Sequence, residues 1–297
     1  MTLPVFATAW RAFQKIMEYL ELDRFFPILI LVGFIAQIID GALGMAYGVS
    51  ANAFLLSIGI PPASASASVR LSEMVTTAIS GASHWRIGNI NWSLVKRLLL
   101  PGMLGGIVGA YLLTSIDGNV IKPFIAVYLL ILGIVILVRA FTTETHNVVK
   151  EYFVTLFKVL SQKERNAVAE EHTVFVSVLG SIGGFLDAIG GGGWGPIVAT
   201  TLVARGRNPR MTIGSVILSE FFVAFASTIT FTLRLNFFQY WQIILGLLIG
   251  GAIAAPLGAR LTKALPPKKL MIIVGLLIII LSISIIYGAL INRLIES

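Results

Sequence analysis

Residues 270–291, LMIIVGLLIIILSISIIYGALI, run without a charged side chain. A helix of about 20 apolar residues matches the hydrocarbon core of a bilayer. In that medium every backbone N–H and C=O must be satisfied within the protein, which restricts the chain to helices or a closed barrel. Similar runs recur from residue 27 onward. Apolar residues make up 57% of the chain and charged ones 12%, and mean hydropathy is +0.90. The pattern predicts an all-α polytopic membrane protein.

The formal charge of +8 does not point to nucleic acid. Lys and Arg cluster at the ends of apolar runs, as the positive-inside rule expects, and no basic stripe is interleaved with exposed aromatics. The chain has no cysteine, which removes disulfides, Cys-ligated metals and thiol chemistry. Three scattered histidines give no metal-ligand spacing, and no nucleophile–base pairing is visible. Neither an enzyme nor a cofactor is expected. Residues 1–26 lack the continuous apolar core of a signal peptide. There Phe6, Trp10, Phe13, Met17 and Leu20 oppose Arg11, Gln14, Lys15, Glu18 and Glu21. That spacing predicts an amphipathic helix lying in the interface. In the polar linker 142–173, Val149, Tyr152, Phe153, Leu156, Phe157 and Leu160 predict a second such helix, on the cytoplasmic side.

The chain is duplicated. One offset aligns Gly33 with Gly180, Asp40 with Asp187, Gly44 with Gly191, Gly48 with Gly195, Pro62 with Pro209, and SVRLSE (68–73) with SVILSE (215–220). Slightly shifted, Gly102, Gly109 and Ala110 match Gly251, Gly258 and Ala259. Matched acids inside apolar segments are harder to obtain by chance than matched apolar residues. The expected organisation is repeat 1 at 27–141 and repeat 2 at 174–292. Their apolar segments are 27–59, 66–85, 94–115 and 121–139, then 174–204, 211–233, 239–262 and 268–291.

Each opening segment is too long for one straight span. Some 32 helical residues would reach roughly 48 Å, against a core of about 30 Å. Both carry glycine in the middle, in GALGMAYG (41–48) and GGGGWGP (190–196), so each is expected to break into two short arms. Charge suggests how the arms run. Arg86, Lys96 and Arg97 mark one cytoplasmic loop, and Arg205, Arg207 and Arg210 follow the second long segment directly. Keeping both groups inside requires that segment to begin and end on the cytoplasmic side. Three further helices per repeat then leave the two repeats inverted, whereas a single crossing by each long segment would make them parallel and put one basic triplet outside.

Inverted repeats around broken helices characterise secondary transporters. Irregular backbone at membrane depth is tolerated where protein or a water-filled cavity covers it. A helix beginning after such a turn presents free N–H groups and a positive dipole end, a site for an anion. Candidate substrate contacts are Gly41, Gly44, Tyr47 and Gly48 in repeat 1, and Gly190, Gly191, Gly192, Gly193 and Trp194 in repeat 2. Close helix packing through small residues is the alternative role of these glycines. Residues 190–195 literally fit G-x-G-x-x-G, but without a βαβ context that spells no nucleotide site.

Four acids lie inside apolar segments, which by default marks a functional site. Asp40 and Asp187 precede the glycine turns, where they either cap the broken backbone or take part in transport. Glu73 and Glu220 are expected to act as neutral donors or proton carriers. Arg70 lies one turn before Glu73 and faces Ile217 in the alignment. It is either a snorkelling interfacial residue or an anion contact paired with Glu73.

With both glycine-rich openings in place, the turn Gly59–Pro62 and the run SGASHWRIGNINW (80–92), the chain resembles the sulfite exporter TauE/SafE family from residue 28 to 290. The acids at Asp40, Glu73 and Glu220 are not required by the family pattern and look like marks of a subgroup. The resemblance implies an export carrier of the bacterial inner membrane for sulfite or an organosulfur anion. The expected function is secondary export of such an anion, with proton coupling. A cation transporter or channel built on the paired acids, or a non-transporting scaffold, stands as the alternative. The expected partners are a small anionic solute and the lipid bilayer, with a homodimer left open.

Overall fold

The computed structural model describes residues 25–43, 45–142, 165–205, 207–261 and 267–296, and every regular element among them is a helix. The interfacial helices expected from Phe6 to Leu20 and from Val149 to Leu160 lie outside the described residues. Repeat 1 contains α1 (Phe26–Leu43), α2 (Tyr47–Ser57), α3 (Pro62–Arg86), α4 (Trp92–Ser115) and α5 (Gly118–Thr142). Next come α6 (Arg165–Gly190) and α7, a π-helical turn (Gly195–Ala199) continued by Thr200–Ala204. The order closes with α8 (Pro209–Arg234), α9 (Trp241–Leu261) and α10 (Pro267–Glu296). The opening segments break where the glycines fall, between Leu43 and Tyr47 and between Gly190 and Gly195.

Among the described residues five helices have stretches long and apolar enough to cross a membrane: Trp92–Ser115, Gly118–Phe141, Thr173–Gly190, Arg210–Arg234 and Lys268–Ile291. Helix α3 is as long but far more polar, because protein surrounds it. Ser64, Ser66, Ser68, Arg70, Ser72, Glu73, Thr76 and Thr77 are all buried. Several hydroxyls satisfy themselves on the helix's own carbonyls, Ser68 on Ser64, Ser72 on Ser68 and Thr77 on Glu73, a local solution that removes the cost of an orphan polar group in an apolar medium. Prolines start α3 and its counterpart α8, where the missing N–H has no helical acceptor to lose.

Glycine contacts fix the relative directions of the helices. Gly33 and Gly246 seat α1 and α9 against Leu247 and Leu29, and the two helices run parallel. In the same way Gly180 and Gly184 of α6 lie against Leu98 and Gly102 of α4, also parallel. The two arrangements are counterparts in the alignment. Helices α3 and α8 run antiparallel, with Gly81 against Leu218 and the Asn91 N–H bonded to Ser215 Oγ at 2.7 Å. Helices α5 and α10 are antiparallel too, with Lys268 over the Phe141 ring and Gly133 against Ile278.

Ends that lie together sort the molecule into two faces. Arg205, after α7, sits 3.5 Å from the ring centroid of Phe175, near the start of the apolar part of α6. The second long segment therefore returns to the face it left. Ser177 reaches the Arg97 carbonyl, and Gly214 lies beside His84 and Asn89. This face thus carries Arg86, Lys96, Arg97, Arg205, Arg207 and Arg210. On the opposite face Arg234 meets Ser115 and Tyr111, and Gly118 packs on Pro62.

Candidate functional site

The two breaks meet. A Cβ on Gly48 would strike the Gly191 carbonyl and come within 2.8 Å of the Gly192 Cα, while one on Gly192 would collide with the Val49 nitrogen. Only glycine lets the backbones come this close. Gly191 also adopts φ +65°, the left-handed region. In repeat 1 the corresponding turn is made by a residue with a side chain, since Ala46 has φ +87°. Gly44 lies outside the described residues, and Gly41 belongs to the last turn of α1.

Each break is tied to the acid that precedes it. Asp187 Oδ1 accepts the Trp194 N–H at 2.9 Å, and Asp40 accepts the corresponding Tyr47 N–H. Each aromatic ring then lies on a glycine of the other repeat. Trp194 is fully buried, donates from Nε1 to the Val216 carbonyl at 3.0 Å and lies on Gly102. Tyr47 donates its hydroxyl to the Leu247 carbonyl at 3.3 Å and lies on Gly251. Trp194 also touches Val223 through the ring that rests on Gly102, so the second break is locked to α4 and α8 together.

Arg70 stands at the centre, fully buried. Burial overturns the snorkelling alternative, because a snorkelling side chain keeps its head in water. Its Nη1 pairs with Asp187 of the other repeat and with Glu73, 2.8 Å away on the next turn of α3. The pairing with Glu73 follows from helical spacing, whereas the one with Asp187 joins α3 to α6 and has no sequence signature. Glu220 is half-buried and within electrostatic range of Glu73, Asp187, Asp40 and Arg70. One guanidinium thus pairs with two carboxyl groups, Asp187 and Glu73, and lies within electrostatic range of a third, Glu220. His84 and Trp85 lie apart from this cluster, at the end of α3.

Three further residues complete the junction. The C-terminal carbonyls of α6 and its turn have no helical donors. Ser66 supplies one for Ala188 at 2.5 Å, Asn52 for Gly190 at 2.5 Å and Tyr128 for Gly192 at 2.9 Å. All three come from repeat 1. The Tyr128 ring also lies against Gly190 and Gly193. Isolated polar side chains in apolar helices, as in ANAFLL (51–56) and VYLLIL (127–132), are the signal that would have singled out Asn52 and Tyr128. Ser66 is hidden in a serine-rich stretch.

A bundle of membrane-length helices enclosing a charged centre, where two broken segments touch, defines a polytopic membrane protein with its polar site walled off from lipid. The chain belongs to the family described as Sulfite exporter TauE/SafE, which matches residues 29–285. It is also 40% identical over 253 residues, 84% of this chain and 79% of the relative, to a Bacillus subtilis (strain 168) protein described as probable membrane transporter protein YtnM. No solved structure matches it. The resemblance carried by the glycine-rich openings, Gly59–Pro62 and residues 80–92 is therefore shown, and with it membership of a membrane transporter family.

Proposed function

We propose that the protein is a proton-coupled secondary transporter of the bacterial inner membrane that exports a small sulfur-containing anion, sulfite or an organosulfonate. The observation that carries this proposal is the meeting of Gly48 with Gly191 and Gly192 beside the buried Arg70. It sets the starts of α2 and α7 at one centre, so that two positive helix ends and a cation favour the same anion. Gly190 and Gly193 extend the backbone wall, Tyr47 and Trp194 hold it in place, and Gly41 and Gly44 join the proposed substrate contacts on sequence grounds. The sulfur chemistry rests on the family description.

Alternating access comes from two inverted repeats, 27–141 and 174–292, joined by the linker 142–173 and preceded by the segment 1–26. Supporting this, the equivalent helices α3 and α8 are antiparallel, as are α5 and α10. The return of α6–α7 to its starting face supports a hairpin. The face bearing Arg86, Arg97, Arg205 and Arg210 is cytoplasmic by the positive-inside rule. Asp40 and Asp187 brace the breaks, and Glu73 and Glu220 gate the site by taking up and releasing protons.

The test is flux of sulfite and of methanesulfonate in proteoliposomes, across a range of pH. Transport of either anion with a pH profile that flattens in the double variant Glu73→Gln, Glu220→Gln is the expected result. A double variant that keeps the wild-type profile removes the gating role. Cation flux without anion flux removes the substrate class.

A further inference from the structure

Arg70 uses one edge of its guanidinium and leaves the other free. Nη1 carries both ion pairs, to Asp187 and Glu73. Nε and Nη2, both fully buried, have no hydrogen-bond partner among the described residues. These two nitrogens form the side of the guanidinium from which N–H bonds project in parallel, the geometry that grips two oxygens of one anion. That edge faces the break. A Cβ on Gly48 would lie 2.8 Å from Nη2, so only a bare backbone at Gly48 leaves Nη2 uncovered on that side. Among the described residues two further buried junction atoms lack a hydrogen bond, Asn52 Oδ1, an acceptor beside Gly191, and Glu73 Oε2, which is ion-paired with Nη1.

Resting on the anion-transport proposal above, we infer that Nε and Nη2 of Arg70 are a bidentate receptor for an oxyanion that presents two oxygens on one face, as sulfite, sulfonates and carboxylates do. The two edges have separate tasks. Nη1 ties α3 to α6 through Asp187, and the Nε–Nη2 edge reads the ligand. A monatomic anion must share one centre between the two parallel N–H bonds at poorer angles, which disfavours it against two separate oxygens. The site is asymmetric, because Ile217 occupies the position equivalent to Arg70. One anion therefore binds per chain, to repeat 1.

The experiment measures anion binding to the full-length protein in detergent by calorimetry, using sulfite, methanesulfonate, acetate and chloride. It compares the wild type with Arg70→Lys, which keeps the charge and loses the fork. At least about tenfold preference for the two-oxygen anions over chloride, collapsing in Arg70→Lys, is expected, since a charge-assisted hydrogen bond is worth about 1.5–3 kcal/mol. Removing one member of a buried ion pair can prevent folding. The neutral triple variant Arg70→Gln, Glu73→Gln, Asp187→Asn therefore serves as the second arm, and it should fold and fail to bind. Unchanged binding in Arg70→Lys, or retained binding in the triple variant, overturns the receptor and leaves the transporter proposal standing. Arg70-dependent binding of acetate without sulfite or methanesulfonate keeps the receptor and removes the sulfur substrate. A wild type that binds none of the oxyanions removes both.

Discussion

The two breaks share a plan and differ in what holds them. In each, an aspartate accepts the N–H of the aromatic residue that opens the following arm, Asp40 for Tyr47 and Asp187 for Trp194. Beyond that the second break is far more heavily tied. Asp187 is fully buried and paired with Arg70, its neighbouring carbonyls take hydrogen bonds from Ser66, Asn52 and Tyr128, and Trp194 is sealed against α4. Asp40 is half-buried, and its repeat turns through Ala46. The cation lies in repeat 1 and the more constrained turn in repeat 2, and Asp187 joins them across the two halves.

Unequal constraint predicts unequal damage. Asp187→Asn weakens the compensation of a buried arginine and should cost about 3–5 kcal/mol. Asp40→Asn loses one charge-assisted bond, at about 1–2 kcal/mol. Chemical denaturation of the two variants in matched micelles checks this, and equal losses would break the comparison. Gly192→Ala drives a methyl into the backbone of the first break and should cost about 1–3 kcal/mol. Gly251→Ala, whose Cβ meets nothing nearer than 3.4 Å, should stay near the wild-type melting temperature. Tyr128→Phe leaves the Gly192 carbonyl short of its donor for about 1 kcal/mol, and hydrogen exchange should rise around the second break and not the first. The smallest effect is a gain. Ala46→Gly relieves a left-handed alanine and should stabilise by less than about 1 kcal/mol, whereas Gly193→Ala meets the Tyr128 hydroxyl and should destabilise.

Sequence disclosed the parts that depend on local chemistry. Glycine runs mark a break whatever surrounds them, and the common spacing from Asp40 to Tyr47 and from Asp187 to Trp194 anticipates a capped turn. Basic clusters located the loops without any knowledge of packing. The position of Arg70 was not legible in the same way. Its place on α3 permits either the interface or the interior, and the decision comes from α6 lying alongside with Asp187 at the matching depth. The tasks of Tyr47 and Trp194 were hidden for a related reason. Their hydrogen-bond acceptors, the Leu247 and Val216 carbonyls, are backbone groups, which carry no residue identity.

Parallel pairing of α1 with α9 and of α4 with α6 bears on how the chain is made. Tyr47 waits for a carbonyl 200 residues downstream, and the Gly33 surface waits for the same helix. During synthesis the first broken segment is made before its cover exists, so nascent repeat 1 presents a groove and an Arg70 paired only with Glu73 until α6 and α9 arrive. Halves expressed as separate chains should consequently be poor at surviving alone and competent when produced together, each completing the other late in biogenesis.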